Sequence, residues 1–485
     1  MAAFNADWSL MTPEIVLAIL ALTVFTIDFT TGIRGKKPFI GVLSFISLII
    51  TAVLVVVFNQ TSGSIVSNTF IVDPFAMLFK IAILIGVALV ILTSMSYMDK
   101  HKEMYQGEMY SLLLFAALGA MLMVSSADLI TLFIGLELLS ISSYCLAGFR
   151  KSQSKSTEAA LKYVILGGTA SAFILYGMSF VYGLTGTTNL AAIGRAMPQL
   201  YADYPYLVIM SLLFMIAGFG FKISVVPFHM WAPDVYEGSP TPITGFLTAV
   251  SKVAGFAILI RILSVGFGGI YQEWYFIIAV IAALTMIVGN TVALVQSNVK
   301  RLMAYSGIAQ AGYLLIPLAA SLSFNITMSM IVYYTFAYVF MTLGAFAIIS
   351  YVTEDANDED LSSFAGLYKR SPFLAHSMTV FLVSMAGLPI TAGFVGKVYI
   401  FLGVMTSQMV WLAVIMIVTS TISFFYYFGI IKQMYMRDPK EEDSMLKAPT
   451  SISLIVTISL IGTFGLALFA NMLTNYMNGL NWIIL

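Results

Sequence analysis

The sequence predicts an all-α polytopic membrane protein with about fourteen transmembrane helices. Composition is the first reason, because 60% of the 485 residues are hydrophobic and only 9% are charged, against roughly 25% charged residues in a soluble domain. The second reason is that apolar runs of ~20 residues, enough to cross a hydrocarbon core, recur along the whole chain. These runs lack the alternation of a membrane β-barrel, so the spans are predicted to be helices.

The fourteen predicted spans are separated by polar connections. They lie near residues 13–31, 39–59, 75–97, 109–127, 129–149, 159–184, 205–232, 242–265, 274–296, 301–320, 324–351, 372–405, 409–434 and 451–476.

Helices 7 and 12 are predicted to be broken. Spans 205–232 and 372–405 would each reach about 40 to 50 Å as one helix, and each contains a proline beside glycines and a lysine, Pro227 and Pro389. Proline removes a helix hydrogen bond, and paired broken helices are typical of internally repeated transporters. We therefore predict two inverted five-helix repeats, helices 4–8 and helices 9–13. The chain then divides into residues 1–104 with helices 1–3, 105–265 with the first repeat, 266–436 with the second, and 437–485 with helix 14.

The basic residues of the loops predict the orientation. Alternate loops place sixteen lysines and arginines on one side of the membrane and two, Arg195 and Arg261, on the other. Because basic loops face the cytoplasm, both termini are expected on the non-cytoplasmic side. The sixteen are Arg34, Lys36, Lys37, Lys100, Lys102, Arg150, Lys151, Lys155, Lys300, Arg301, Lys369, Arg370, Lys432, Arg437, Lys440 and Lys447.

Charge and cysteine content exclude several functions. The formal net charge is zero, so no electrostatic attraction to nucleic acid is expected. A single cysteine, Cys145, and three scattered histidines do not provide an iron-sulfur, zinc or haem site. The acidic run at residues 353–360 is interpreted as a solvated loop rather than a metal site. There is no nucleotide-binding glycine loop either, so the chain is expected to bind no redox cofactor.

Six charged residues are left inside the predicted helices: Glu137, Lys80, Lys162, Lys222, Lys252 and Lys397. A charge at the centre of a span costs roughly 2.5 to 3.5 kcal/mol on insertion scales. A buried lysine suits proton transfer, because desolvation lowers the pKa of an ammonium group and a nearby carboxylate raises it again. Glu137 and Lys222 are the natural pair, and with Lys252 and Lys397 they are predicted to be functional.

Three other positions are interpreted separately. Lys80 lies near the outer boundary, so its side chain is expected to snorkel to the headgroups. For Lys162, both an anchor at the boundary and a functional role are open. His229 either forms a hydrogen bond at the interface or relays a proton, since histidine titrates near neutral pH.

Four motifs in order carry a family resemblance. "GLELLSISSYCLAGF", "HMWAPDVYEGSPTPITGFLTAVSK", "NVKRLMAYSGIAQAGY" and "GLPITAGFVGK" resemble the antiporter-like membrane subunits of respiratory complex I, the proton-pumping NADH:quinone oxidoreductase. The resemblance covers residues 105–436 and is greatest for the N-type subunits. The M type has glutamate where this chain has Lys397, and the L type carries a further lateral helix.

The resemblance also implies roles and partners. It aligns the family's ionisable residues of helices 5, 7, 8 and 12 with Glu137, Lys222, Lys252 and Lys397, and it aligns a helix 6 lysine with Lys162 and a family histidine with His229. It implies a non-redox translocase subunit in a bacterial inner membrane, in contact with the lipid bilayer. The complex would use NADH, FMN, iron-sulfur clusters and quinone in other subunits, with M-type and K-type neighbours and an L-type subunit further along.

One departure and two alternatives remain. The family that this chain resembles often has histidine in helix 10 at the position where this chain has Gln310. Unlike histidine, an amide does not titrate. The same motifs permit a subunit of a multisubunit cation/proton antiporter. A structural scaffold is a third possibility, but it leaves the buried charges unexplained.

Overall fold

The computed structural model describes residues 8–31, 38–58, 62–65, 68–101, 107–320, 323–439 and 445–483. Some positions used in the sequence analysis lie outside these ranges, namely Arg34, Lys36, Lys37, Lys102, Tyr105, Lys440 and both chain ends.

Three helices and a hairpin precede the first repeat. The helices are α1 (Thr12–Thr30), α2 (Pro38–Phe58) and α3 (Pro74–Lys100), and the antiparallel hairpin joins β1 (Gly63–Ile65) to β2 (Phe70–Val72). Helix α3 begins where it does because the Asp73 carboxylate accepts a hydrogen bond from the Ala76 N–H at 2.7 Å and Pro74 stands at the first helical position.

The predicted first repeat contains one short helix besides its spans. Its elements are α4 (Glu108–Val124), α5 (Leu129–Ala147), α6 (Ser154–Thr185), α7 (Leu190–Asp203), α8 (Pro205–Lys222), α9 (Trp231–Gly238), α10 (Thr241–Phe246) and α11 (Lys252–Arg261). Helix α7 lies outside the predicted spans and buries one apolar side, Leu190, Ile193 and Met197. Helices α10 and α11 form one helical run, joined by a π-helical turn at Leu247–Ser251.

The helices of the predicted second repeat and the C-terminal helices complete the fold. They are α12 (Tyr271–Ala293), α13 (Val299–Ala319), α14 (Phe324–Ala356), α15 (Leu367–Arg370), α16 (Pro372–Ala386), α17 (Ala392–Thr406), α18 (Val410–Met436), α19 (Thr450–Leu468) and α20 (Ala470–Asn478).

The helices agree with the predicted spans. Within the described ranges, twelve helical runs are long and apolar enough to cross a membrane. The two remaining predicted spans correspond to α4, which has 17 residues, and to the broken pair α16 and α17. Both predicted breaks are confirmed, because helix 7 stops at Lys222 and resumes at Trp231, and helix 12 stops at Ala386 and resumes at Ala392.

Equivalent helices of the two predicted repeats begin in the same way. Asp128 caps α5 and forms a backbone bridge with Asn189, which follows α6. Asn298 caps α13 and forms the corresponding bridge with Asp360, which follows α14. This agreement pairs helices 5 and 6 with helices 10 and 11, as the proposed repeat requires. The inversion and the exact domain boundaries remain predictions.

The basic loops gather at one end of the helices. A single cavity brings together the loops that contain Arg150, Lys155 and Arg301, and Arg370 joins them through an ion pair with Asp355 at 2.5 Å. We call this end of the protein the lysine-rich face. The hairpin and α7 lie at the opposite end, where the Asn189 amide donates to the carbonyl of Asn68 at 3.2 Å.

Candidate functional site

Glu137 and Lys222 approach each other through two serines. The Ser171 hydroxyl donates to the Glu137 carboxylate at 2.5 Å, and the Lys222 ammonium donates to the Ser140 hydroxyl at 3.0 Å. Ser140, Ser171 and Lys222 all line one small cavity with a volume of about 10 Å³. That is close to the minimum for a single water. A site for one water therefore lies between Ser171, which holds Glu137, and Ser140, which holds Lys222.

The positions of these side chains follow from the helices. Glu137 and Ser140 are three residues apart on α5, so they lie on the same face of that helix. Lys222 is the last residue of α8, where the free carbonyls of a helix end favour a positive charge. Glycine at position 255 of α11 lets that helix pack closely, since a Cβ there would lie 3.2 Å from the Lys222 Cγ.

Lys252 differs from the other lysines in its hydrogen bonding. Its side chain is 2% exposed, and the Nζ atom has no hydrogen-bond partner among the described residues. The Nζ lies 5.8 Å from the centre of the Tyr236 ring. The hydroxyls of Ser224, Tyr236 and Ser251 are also buried without a hydrogen-bond partner among the described residues. Buried polar atoms of this kind commonly bind water. Bound water between Lys222 and Lys252 would satisfy this group.

Gly307 leaves room beside Lys252. A Cβ at this position of α13 would lie 3.0 Å from the Lys252 Nζ, 3.2 Å from Thr248 Cγ2 and 3.2 Å from the Tyr338 hydroxyl. The Tyr338 hydroxyl in turn donates to the Thr248 carbonyl at 3.0 Å. The surroundings of the ammonium on this side are therefore a glycine, the methyl group of Thr248 and the hydroxyl of Tyr338.

Lys397 has a full set of acceptors. Its ammonium donates to the carbonyls of Met385 and Ala386 at 2.9 and 3.1 Å and to the Ser420 hydroxyl at 2.9 Å. Those carbonyls are the last two of α16, so the charge is stabilised by a helix C-terminus. Gly387 follows with φ of 90°, and a Cβ there would lie 2.9 Å from the Lys397 Cδ. The break in helix 12 thus forms the binding position for this lysine.

Gln310 connects the surroundings of Lys397 to the centre of the protein. Its amide nitrogen donates to the Met385 carbonyl at 3.1 Å, the same oxygen that accepts from Lys397. Its amide oxygen accepts a hydrogen bond from the Tyr334 hydroxyl. Gln310 lies three residues, about one helical turn, beyond Gly307 on α13. Where a histidine could titrate, Gln310 instead forms a hydrogen-bond bridge between Tyr334 and the Met385 carbonyl.

A polar network extends from Lys397 to α18. The Lys397 ammonium lies 4.6 Å from the centre of the Tyr313 ring. The Asn290 amide donates to the Tyr313 hydroxyl at 3.2 Å and accepts from the Tyr426 hydroxyl at 3.0 Å. These residues carry no sign of a polar role in the sequence, because buried tyrosine and asparagine look like packing residues until their partners are known.

Among the described residues, Lys162 and His229 form no hydrogen bond or ion pair with the buried lysines. Lys162 is 41% exposed and forms ion pairs with Asp234 at 2.6 Å and Glu158 at 2.9 Å. Arg301 binds the other oxygen of Asp234 at 2.7 Å. Partial burial acts to raise the pKa of Asp234, but hydrogen bonds from Lys162 and Arg301 outweigh it and hold the pKa below its ordinary value. His229 lies in the break of helix 7, and its buried Nδ1 has no partner in the described part of the chain.

The expectation that Lys80 snorkels is wrong. Lys80 is 2% exposed, and its ammonium forms an ion pair with Glu14 of α1 at 2.6 Å. Arg261, assigned to a helix end from sequence, is also buried, and it donates to both oxygens of Asp73 at 2.9 and 3.0 Å. Both pairs join helices far apart in the chain. The Lys80 ammonium does not need to reach the headgroups, because the carboxylate of Glu14 compensates its charge inside the protein.

Comparison with known proteins gives matches along nearly the whole chain. Residues 126–423 match the family described as NADH:quinone oxidoreductase/Mrp antiporter, transmembrane. The NADH-quinone oxidoreductase subunit N of Brevibacillus brevis is 45% identical, over 98% of this chain and 95% of that protein. The protein of the same name from Anoxybacillus flavithermus is 44% identical, over 97% and 96%.

Solved structures give the same fold. A chain in the structure of respiratory complex I from Thermus thermophilus with bound aureothin is 29% identical, with a TM-score of 0.80 over 96% of this chain and 99% of that chain. A chain in the structure of the Mrp complex from Dietzia sp. DQ12-45-1b has a TM-score of 0.82 over 97% and 96%. At 18% identity, this second match shows a shared fold alone.

Proposed function

Because the chain belongs to the antiporter-like family of NADH:quinone oxidoreductase and Mrp antiporter membrane subunits, we propose that four ionisable residues of its helices form a proton relay. The relay consists of Glu137, Lys222, Lys252 and Lys397. The chain is a proton-translocating, non-redox membrane subunit of an NADH:quinone oxidoreductase, of the N type. Quinone reduction in the complex supplies the free energy, and this subunit uses it to move protons.

The assembly follows from the family. The chain is a multi-pass membrane protein of a multisubunit complex. We assign NADH, FMN, iron-sulfur clusters and quinone to other subunits. The proposed neighbours are M-type and K-type subunits, with an L-type subunit further along. The lysine-rich face is proposed to lie in the cytoplasm of a bacterial cell, since basic loops remain on that side, with both termini on the other side of the inner membrane.

The first step of the proposed relay lies between Glu137 and Lys222. Among the described residues, no carboxylate lies within the ion-pair distance of 4.0 Å from the Lys222 ammonium. A proton can instead pass through Ser171, one water in the cavity and Ser140, since each hydroxyl both donates and accepts. Movement of Glu137 towards or away from Lys222 would change the proton affinity of the lysine.

The later steps lead from Lys222 to Lys397. Water bound to the unpaired hydroxyls of Ser224 and Ser251 would connect Lys222 with Lys252. Beyond Lys252, the space beside Gly307 leads to Gln310 and the Met385 carbonyl, which Lys397 also contacts. Gln310 orients this part of the path without carrying charge. The observation that supports the relay best is the Lys252 ammonium, which is buried and has no partner among the described residues.

A pumping assay tests the relay. Complex carrying Lys222→Ala is reconstituted into vesicles, and protons moved per electron are measured together with quinone turnover. The variant is expected to lose turnover or to move fewer protons per electron, and Glu137→Gln is expected to act in the same direction. Lys369→Ala is the control, since this lysine is 62% exposed and pairs with Asp438 at the surface. Wild-type values for both quantities in the Lys222 variant would contradict the relay.

The Mrp-type alternative has a separate test. The family description covers both kinds of complex, but the nearly full-length relatives at 44 and 45% identity have the oxidoreductase name. An affinity-tagged chain purified from its own membranes is expected to bring a quinone reductase activity with it. Purification with cation/proton exchange activity and no quinone reduction would favour the alternative.

A further inference from the structure

A polar cavity of about 690 Å³ opens on the lysine-rich face. It lies among the loops that follow α3, α5, α12 and α14, and its lining includes His101, Lys155, Glu237, Arg301 and Glu359. A cavity with this volume and so many polar groups holds water. None of these residues belongs to the proposed relay, so the cavity needs an explanation of its own.

Lys300 lies behind the wall of this cavity. It is 2% exposed, and its ammonium donates to the Glu359 carboxylate at 2.7 Å and to the Ser239 carbonyl at 2.9 Å. Glu359 is 33% exposed and forms part of the cavity wall. An ammonium group has three N–H donors, so one N–H of Lys300 remains for a further partner. Lys300 therefore stands between the water of the cavity and the protein interior.

Two threonine hydroxyls lie along the chain between Ser239, which contacts Lys300, and Lys252. Ser239, whose backbone carbonyl accepts from Lys300, lies two residues before the helical run Thr241–Gly266, which contains Thr244, Thr248 and Lys252. The Thr244 and Thr248 hydroxyls donate to backbone carbonyls at 2.8 and 2.6 Å, which leaves their lone pairs free to accept. Both threonines are buried.

The two lysines are also arranged along α13. Lys300 and Gly307 are seven residues apart, which places them on one side of α13 about 10 Å apart. Gly307 adjoins the Lys252 ammonium. Side chains on a helix lean towards its N-terminus, so Lys252 leans towards Thr248 and the lysine-rich face. Both helices thus lead from the cavity to the same ammonium group.

We propose that this cavity is the aqueous access site of the relay and that Lys300 transfers protons between it and Lys252. The Lys300 ammonium gives one proton to the water and hydroxyl path that ends at the Lys252 amine, and it regains one proton from water in the cavity by way of Glu359. In each cycle one N–H bond of Lys300 breaks and is later restored, one N–H bond forms at Lys252, and no bond between heavy atoms changes. This inference depends on the proposed relay, since it supplies Lys252.

Arginine at position 300 separates this role from a purely structural one. Arginine retains the positive charge and can pair with Glu359, but it does not release its proton in proteins. If the ion pair only holds the 357–361 loop against α13, Lys300→Arg retains function. If Lys300 carries protons, Lys300→Arg loses it although the complex assembles. Lys155→Arg is the matched control, because Lys155 is 68% exposed at the same cavity and pairs with Glu237 at 3.1 Å.

The experiment uses the whole complex in vesicles. Quinone turnover and protons moved per electron are measured for Lys300→Arg, Lys155→Arg and Lys222→Ala. Removal of a positioned proton carrier slows its step by about 10²-fold, so Lys300→Arg is expected to lose most turnover or to move fewer protons per electron, while Lys155→Arg matches wild type. Wild-type values for Lys300→Arg overturn the access site, and the relay survives only if Lys222→Ala is impaired. If Lys300→Arg and Lys222→Ala both give wild-type turnover and stoichiometry, the relay itself is wrong.

A second variant keeps the test decisive if Lys300→Arg does not assemble. Thr248→Val removes one hydroxyl from the path and preserves the shape of the side chain. It is expected to impair transfer in the same direction. Thr291→Val is its control, because the Thr291 hydroxyl is exposed on α12 and donates to the Ile287 carbonyl. Equal, wild-type activity of these two variants would overturn the proposed path.

Discussion

Substitution of Gly307 by alanine would fill the space beside Lys252. The added Cβ would lie 3.0 Å from the Lys252 Nζ and 3.2 Å from the Tyr338 hydroxyl, closer than the usual contact distance of about 3.5 to 4.0 Å. The methyl group therefore excludes a water molecule from the ammonium. Overpacking of this kind costs about 1 to 3 kcal/mol of stability. Loss of a proton-transfer contact should slow the step by about 10²-fold.

Both quantities can be measured on the reconstituted complex. We expect Gly307→Ala to lower the melting temperature modestly and to reduce quinone turnover or protons moved per electron much more strongly. Gly429→Ala on α18 is the matched control, because a Cβ at that position meets nothing within 4 Å. A Gly307→Ala complex with wild-type turnover and stoichiometry would refute the reasoning that water beside Lys252 is part of the path.

Three further predictions concern other parts of the structure. Gln310→Leu removes both hydrogen bonds of the bridge and should slow proton translocation in vesicles, whereas Gln310→His should retain most of it; equal activity of the two variants contradicts the bridge. Lys80→Met leaves Glu14 buried without its partner and should cost about 3 to 5 kcal/mol, while adding Glu14→Gln should recover much of the lost melting temperature; an unchanged melting temperature in the single variant argues against the pair. The low pKa of Asp234 means that its ion pairs stabilise the protein above the ordinary aspartate pKa of about 3.9, and that this stability disappears as the pH falls through the lowered value. The difference in melting temperature between wild type and Asp234→Asn should therefore narrow below about pH 4, and a constant difference contradicts this sign.

The helices were predictable because a membrane span depends on a local property, a run of apolar residues. The breaks were predictable for a similar reason, since Pro227 and Pro389 lie beside glycines and a lysine within overlong spans. Glu137, Lys222, Lys252 and Lys397 stood out because few charges remain inside the helices. All three lysines are buried in the structure.

The contacts between distant segments were not predictable. Lys80 is separated from Glu14 by α2 and a hairpin, so its sequence neighbourhood contains no sign of the ion pair. The sequence places Lys300 in a basic loop, yet the fold buries it on α13 with its ammonium against the Ser239 carbonyl. Gln310 was recognised as a departure from a family pattern, but only the fold brings its amide to the Met385 carbonyl. In each case the partner comes from a distant segment of the chain.

The central claim is that protons pass through Lys252. The most direct measurement compares Lys252→Met with the surface variant Lys369→Met in the reconstituted complex, recording quinone turnover and protons moved per electron under identical conditions. Methionine preserves the volume of the buried lysine stem and cannot bind a proton. The relay predicts that Lys252→Met loses turnover or moves fewer protons per electron, while Lys369→Met matches wild type. Wild-type turnover and stoichiometry in Lys252→Met would contradict the relay.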